Sequence, residues 1–228
     1  MFPTLEVIDT PVGPARVTRE GPEGAGVLVL GHGAGGPGGG IETPDLLAAR
    51  DAALAAGLAV VRVEQPWRVR GRRVAEPPAR LDEAWRAVLA ALARIAPERD
   101  GPLVVGGRSS GARVACRTAT KVGATAVLAL AFPLRPPGRP DRSRLPELLL
   151  PDLPRLVVQG DRDAFGRPGA APGLDVHLVR GADHGFALRR RDGRSDAEVA
   201  AEVRDVVRQW LSLLITRGRS PAHGQTLT

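Results

Sequence analysis

The sequence predicts an α/β protein: a three-layer α/β/α sandwich with a mostly parallel, twisted sheet and a minimal cap domain or none. Three observations favour this fold class. Short apolar runs alternate with helical patterns from residue 26 onward. Such alternation is expected where helices connect parallel strands. The length of 228 residues is enough for one three-layer core. We expect one domain over residues 1–216 and a flexible C-terminal tail over residues 217–228.

The amino-terminal part predicts an antiparallel edge, then a buried strand and a helix. Two short strand candidates, residues 5–9 and 15–18, precede the apolar run at residues 26–31, which is typical of a parallel strand buried on both faces. Thr43, which a proline follows, suits a helix N-cap, and Gly57 suits the residue after the helix.

The rest of the chain repeats this alternation. Residues 79–96 carry apolar side chains at helical spacing, residues 110–122 predict another helix, and Ser195 with Glu198 forms a capping box that opens the last one. Residues 133–153, rich in proline and arginine, lack periodicity, and we expect them to lie over the top of the sheet. The intervening strands are predicted at residues 58–64, 102–106, 124–132, 155–159 and 176–179.

Composition and charge exclude several classes of protein. The net charge of +7 comes from arginines that are mostly interleaved with acids, and aromatic residues make up only 3% of the chain, so we predict a solvated surface and no nucleic-acid partner. Lys121 is the only lysine. No stretch approaches the roughly 20 apolar residues of a membrane span, and we see no secretory signal, so we predict a cytoplasmic protein without a membrane partner. Cys116, the single cysteine, leaves no internal disulfide, and we predict no metal and no cofactor.

The stretch GGRSSGARVA predicts a nucleophile at a sharp turn between a strand and a helix. Such an elbow is strained, and its strand and helix pass so close that the positions two before and two after the apex need small side chains. Centring the motif on Ser109 puts Gly107 and Gly111 at those positions, whereas centring it on Ser110 puts Arg108 at one of them. We therefore predict Ser109 as the nucleophile.

A serine nucleophile needs a base and an acid that orients the base. His184 is the base candidate, because it follows the last predicted strand in a glycine-flanked loop at the carboxyl edge of the sheet. The acid is expected in GDRDAFG, where both Asp161 and Asp163 are candidates and Asp163, further into the loop, is favoured. Asp161 has the alternative role of capping the turn.

Two backbone N–H groups are expected beside the nucleophile to stabilise the negative charge that develops on the substrate oxygen. One is the amide of Ser110, which follows the nucleophile. The other is the amide of Ala34 in HGAGG, where Gly33 and Gly35 allow unusual backbone angles. A plain glycine-rich turn is the alternative, whereas a dinucleotide-binding loop is excluded because no Gly-x-Gly-x-x-Gly opens a helix there.

Taken together, these motifs resemble the α/β-hydrolase superfamily over roughly residues 5–215, and within it the small dienelactone-hydrolase-like group that includes the testis-expressed-30-like hydrolases. The resemblance rests on LGHGAGG, GGRSSGARVA, FPLRPPGRP, VQGDRDAFG and GADHGF. It implies Ser109 as nucleophile, Asp163 as acid and His184 as base. Dienelactone hydrolases proper use a cysteine nucleophile where this chain has Ser109, so their substrate is not carried over.

We therefore expect a serine hydrolase that acts on a small acyl substrate, an ester or thioester, through an acyl-enzyme. Its pocket is expected to be shallow, with Arg108 and Arg135 flanking it and able to attract an anionic substrate, although a solvated surface is the alternative for both. The alternative function is a catalytically weak or inactive interaction module on the same fold. That alternative predicts a pocket blocked by residues 133–153, or Ser109 and His184 held too far apart.

Overall fold

A mixed sheet of eight strands forms the middle layer of the structure, a computed structural model that describes residues 3–23, 26–35, 39–95, 100–139 and 141–219. In this described part the strand order is β1-β2-β4-β3-β5-β6-β7-β8. The first two strands pair antiparallel with each other, the second pairs antiparallel with the fourth, and all other pairs are parallel, so the predicted antiparallel edge is confirmed. The strands are β1 (Thr4–Ile8), β2 (Ala15–Glu20), β3 (Val27–Gly31), β4 (Ala59–Glu64), β5 (Leu103–Arg108), β6 (Ala126–Leu130), β7 (Arg155–Gly160) and β8 (Leu174–Val179).

Helices cover both faces of this sheet. The helices are α1 (Pro44–Ala55), α2 (Pro66–Val69), α3 (Pro78–Ile95), α4 (Ser110–Thr118), α5 (Leu145–Leu149) and α6 (Asp196–Arg219). Helices α1 and α6 pack on one face, where Leu46 and Leu211 are buried, and α2 to α5 cover the other, where Trp67 and Trp85 are buried. The two apolar layers, one on each side of the sheet, confirm the predicted α/β/α sandwich.

Most predicted elements are confirmed to within about two residues at each end. The predicted helix over residues 110–122 is shorter than expected, because α4 ends at Thr118 and a 3-10 turn, Thr120–Val122, follows. Gly123 closes that turn with φ 68°, and Lys121 lies exposed on it. The helix α2, of four residues, was not predicted.

Residues 133–153 begin at the carboxyl edge of the sheet, where the N–H of Arg135 binds the carbonyl of Phe165, but they end beside the first residue of β7. The prediction that they lie over the top of the sheet therefore holds only for their first part. They contain α5, a five-residue helix that the sequence pattern did not predict, and Leu148 anchors it in the core. The described residues form no separate cap domain.

Arg155, the first residue of β7, binds the end of this region and the turn before β8 from inside the protein. Its side chain is buried and has no carboxylate within ion-pair distance among the described residues. Its guanidinium instead donates hydrogen bonds to the backbone carbonyls of Leu149, Pro151, Pro172 and Gly173. The side chain therefore ties the end of α5 and the turn before β8 to the sheet.

The last helix, α6, begins at the predicted capping box. Oγ of Ser195 accepts a hydrogen bond from the N–H of Glu198 at 3.2 Å, and Oε2 of Glu198 accepts one from the N–H of Ser195 at 2.7 Å. The helix runs to Arg219, so residues 217–219 of the predicted tail are helical; residues 220–228 lie outside the described residues. The flexible tail stays a prediction. Searching the described helices finds none whose length and hydropathy suit a membrane span.

Candidate active site

The turn between β5 and α4 holds Ser109 in a strained conformation. Its φ of 52° and ψ of −108° are rare for a residue with a side chain. A Cβ at Gly107 would lie 2.3 Å from the carbonyl oxygen of Gly31, and a Cβ at Gly111 would lie 2.4 Å from the same atom. The end of β3 thus passes too close for any side chain at either position, which is the physical reason for the small residues around the elbow.

Ser109, His184 and Asp163 form a continuous chain of hydrogen bonds at the carboxyl edge of the sheet. Oγ of Ser109 donates to Nε2 of His184 at 3.0 Å, and Nδ1 of His184 donates to Oδ2 of Asp163 at 2.7 Å. The Asp163 side chain is 0% exposed and that of His184 is 22% exposed. A carboxylate that accepts from Nδ1 leaves Nε2 free to take a proton from the serine.

The structure distinguishes between Asp161 and Asp163, the two candidates for the acid that orients His184. Oδ1 of Asp161 accepts a hydrogen bond from the N–H of Gly181 at 2.8 Å and so ties β7 to the turn after β8. Asp163 alone of the pair contacts His184, and its other oxygen accepts the N–H of Phe165 at 2.7 Å. The geometry favours Asp163 as the acid.

Two side chains that hold the acid and the base were not predicted. Gln159 is fully buried, and its Nε2 lies 2.6 Å from Oδ2 of Asp163, with the carbonyl oxygens of Phe132 and Gly166 at 3.1 and 3.0 Å. Because three oxygens surround this atom, it is the NH₂ end of the amide that points at Asp163. The ring of Phe165 packs on the imidazole of His184 with their centroids 4.3 Å apart. Both residues lie in the stretch VQGDRDAFG, which was the only sequence signal that could have pointed to them.

The loop after β3 brings Ala34 to the same cleft as Ser109 and Ser110. Ser110 is the first residue of α4, so its N–H has no partner within the helix. The N–H of Ala34 makes no hydrogen bond within the described part of the chain. Both predicted amides are therefore free to bind an oxyanion.

The expectation that Gly33 and Gly35 adopt unusual backbone angles is wrong, because neither has a positive φ. Gly33 instead lies close to the elbow. A Cβ at this position would lie 3.3 Å from the guanidinium of Arg108 and 3.5 Å from Cβ of Ser109. The glycine lets the loop after β3 approach the elbow.

His32 begins this loop and is buried. Its Nε2 accepts the N–H of Gln65 at 3.0 Å, so the ring hydrogen lies on Nδ1 and is donated to the carbonyl of Gly33 at 2.8 Å. Burial lowers the pKa of His32 to about 4, so the ring is neutral at pH 7. The ring links the ends of β3 and β4 and fixes the loop that carries Ala34.

An open cleft of about 570 Å³ lies over Ser109 and His184. Arg108 lines it as predicted, but its Nε lies 3.1 Å from Oδ2 of the buried Asp45, and its Nη2 donates to the carbonyl of His184 at 3.1 Å. Arg135 is exposed and does not line the cleft. The expectation that both arginines flank the pocket is therefore wrong for Arg135, and Arg108, with Asp45 at ion-pair distance, is not free to attract an anionic substrate. The other lining residues are Ala34, Gly35, Ala75, Glu76, Pro78, Leu81, Ser110, Arg113, Pro133, Arg144 and Phe165.

Cys116 lies buried in α4, and burial raises the pKa of its thiol to about 12, so it is not a nucleophile at neutral pH. Within the described ranges, no group of three or more His, Cys, Asp or Glu side chains is arranged to hold a metal ion. The absence of a cofactor stays a prediction.

Comparison with known proteins places the site in a wider context. Residues 24–212 match a family model described as an alpha/beta hydrolase domain. Similar solved structures include a serine hydrolase without a lid from Xanthomonas campestris, which is 21% identical with a TM-score of 0.68 over 91% of this chain and 94% of that one. A serine hydrolase homologue from Coxiella burnetii is 20% identical with a TM-score of 0.68, over 92% and 98%. Est1E from Butyrivibrio proteoclasticus is 14% identical with a TM-score of 0.67, over 93% and 99%. Comparison with curated protein sequences gives no significant match.

Proposed function

This chain is an enzyme of the alpha/beta hydrolase family, and from that premise we propose that it is a serine hydrolase that cleaves small carboxylic esters or thioesters. One observation carries the proposal: the hydrogen-bonded chain of Ser109, His184 and Asp163 stands on a strained elbow beside an open cleft. The proposal includes membership of the group that contains the testis-expressed-30-like hydrolases, and a cytoplasmic location.

The first half of the reaction forms an acyl-enzyme. Oγ of Ser109 attacks the acyl carbonyl carbon while Nε2 of His184 takes the hydroxyl proton, and the amides of Ala34 and Ser110 bind the oxyanion. The tetrahedral intermediate then expels the alcohol or thiol, which receives the proton from His184. The acyl group remains on the serine.

Water completes the cycle through the same groups. His184 takes a proton from the water as its oxygen attacks the acyl carbon, and Ser109 leaves with that proton as the acid is released. Asp163 holds the imidazole in the required tautomer and stabilises the imidazolium, and Gln159 holds Asp163 in place. Esters and thioesters are favoured over amides because their leaving groups demand less of a proton donor.

The alternative, an interaction module with little turnover, predicted a blocked cleft or a separated nucleophile and base. The distance of 3.0 Å between Ser109 and His184 and the open cleft favour turnover instead. A small acyl compound is therefore the proposed binding partner.

Labelling with a fluorophosphonate tests the nucleophile. We expect intact mass and peptide mapping to give one adduct on the wild type and on Ser110→Ala, and none on Ser109→Ala, because the hydroxyl of Ser109 lies 3.0 Å from the imidazole of His184. Circular dichroism checks that all three proteins are folded. A folded wild type that stays unlabelled, or a Ser109→Ala protein that is labelled on Ser110, contradicts the proposal.

A further inference from the structure

The cationic side chains of the cleft have a carboxyl group within ion-pair distance, with one exception. Nε of Arg108 lies 3.1 Å from Oδ2 of Asp45, a carboxyl whose pKa burial raises and the charge of Arg108 lowers. Arg113 binds Glu147 through two parallel hydrogen bonds of 2.9 and 2.7 Å, and Arg117 adds a third to the same carboxylate at 2.8 Å. Burial raises the pKa of Glu147, but the hydrogen bonds and charges of these two arginines outweigh it and lower the pKa, so the carboxylate is ionised at pH 7.

The acidic side chain on the cleft wall, Glu76, is neutralised as well. Its Oε1 lies 2.8 Å from Nη2 of Arg70 and 3.0 Å from Nη1 of Arg72. It therefore has two cationic partners of its own, and none of its hydrogen bonds goes to an arginine that lines the cleft.

Arg144 is the exception. It immediately precedes α5 and lines the cleft with Ser109 and His184. Among the described residues, its side chain donates one hydrogen bond, from Nη1 to the carbonyl of Pro133 at 3.0 Å. Across the described ranges, no carboxylate forms an ion pair with it. Burial and the like charges of Arg113 and Arg117 lower the pKa of Arg144, and the charge of Glu147 offsets this only in part. A guanidinium has five N–H donors, so most of its donors are free.

We propose that Arg144 binds a carboxylate on the substrate, so that the preferred substrates are small esters or thioesters that also carry a carboxylate group. The inference rests on the proposed function, because the carboxylate occupies the same cleft as the reacting ester. A guanidinium presents paired N–H groups that match the two oxygens of a carboxylate, which makes arginine suited to this role. The two neighbouring arginines, Arg113 and Arg117, have Glu147 and Asp82 as partners, so the charge of Arg144 is left for a substrate carboxylate.

Matched ester pairs test this inference. The pair 4-nitrophenyl hydrogen adipate and 4-nitrophenyl hexanoate differs by a carboxylate at the end of a six-carbon acyl chain. The pair 4-acetoxybenzoate and 4-acetoxybenzamide differs by a carboxylate on the leaving group. We expect the wild type to prefer the charged member of at least one pair by about tenfold to a hundredfold in kcat/KM, mainly through KM, which is the range for a hydrogen bond to a charged group.

The variants Arg144→Gln, Arg144→Lys and Arg142→Gln identify the residue responsible. We expect Arg144→Gln to abolish the preference by lowering kcat/KM for the charged member to the value for the neutral member. Arg144→Lys keeps a charge and retains part of the preference. Arg142→Gln, an exposed arginine of the same segment, leaves the preference unchanged.

The outcomes separate the inference from the proposed function. If the wild type hydrolyses both members of each pair equally well, or if Arg144→Gln and Arg144→Lys keep the full preference, the role of Arg144 is refuted and the serine hydrolase stands. If no ester is turned over and Ser109 is not labelled, the proposed function fails and the inference fails with it. Should Arg144→Gln not fold, the comparison of wild type with Arg144→Lys still decides.

Discussion

A single methyl group at Gly111 tests whether the elbow is as tightly packed as the structure indicates. In Gly111→Ala the added Cβ would lie 2.4 Å from the carbonyl oxygen of Gly31 and 2.9 Å from that of His32. Side-chain Cβ atoms do not approach other atoms more closely than 3.0 Å, so α4 and the end of β3 must separate by at least about 0.6 Å.

The separation has two measurable costs. Overpacking of this kind costs about 1–3 kcal/mol, and the better helix propensity of alanine returns at most ~1 kcal/mol. At about 2–4 °C per kcal/mol for a domain of this size, we expect the melting temperature to fall by about 4 °C. The end of β3 leads into the loop that carries Ala34, and a displacement approaching 1 Å costs up to about a hundredfold in rate, so we expect kcat to fall by ~10- to 100-fold.

Gly169→Ala is the matched control, because its Cβ would have no neighbour within 4 Å and its φ is not positive. Differential scanning fluorimetry gives the melting temperatures, and hydrolysis of 4-nitrophenyl hexanoate gives kcat and KM. We expect the control to match the wild type in both assays. If Gly111→Ala also matches the wild type in melting temperature and kcat, the contact between α4 and β3 is looser than described and the reasoning is refuted.

Three further predictions concern residues that support the site. Lowering the pH from 7.5 to 5.0 will reduce the free energy of unfolding by about 2 kcal/mol through His32. The pKa of the ring is 6.5 in the unfolded chain and about 4 in the folded one, so at pH 5.0 only the unfolded ring takes up a proton. Urea unfolding at both pH values, with His32→Gln as reference, measures this, and equal pH dependence of the two proteins contradicts it. Gln159→Leu will lower kcat about tenfold, because Asp163 loses a hydrogen-bond donor worth ~1–2 kcal/mol. If kcat is unchanged, Gln159 does not position the acid. Arg155→Met will lower the free energy of unfolding by about 3 kcal/mol, because the four carbonyls that Arg155 binds lose their donor. Fluorophosphonate will still label the folded variant. An unchanged midpoint of urea unfolding excludes the anchoring role.

Much of the fold was predictable because local pattern and long-range structure agree. The nearly continuous apolar run of β3 and the capping box at Ser195 specify their elements without help from the rest of the chain. The helices α2 and α5 were missed because four or five residues are too few to show a helical period. Leu148 holds α5 in place through the core, which is a contact that no local pattern reveals.

The candidate site was predictable where spacing alone is informative. The two glycines around Ser109 and the glycine-flanked loop of His184 carry their signal in the sequence itself. The choice between Asp161 and Asp163, by contrast, depends on which carboxylate the fold brings to the imidazole. Arg144 was missed for the same reason, because its significance depends on which other arginines have carboxylate partners.

The position of Lys121 has a practical consequence for attaching this protein to a surface. It is the sole lysine of the chain and lies exposed on the turn that follows α4, a helix of nine residues that starts directly after the nucleophile and spans about 14 Å. Apart from the α-amino group, amine-reactive resins therefore couple to this protein at one point, at the opposite edge of the sheet from the cleft. Molecules coupled through Lys121 would share one orientation, with the catalytic edge directed towards the solution.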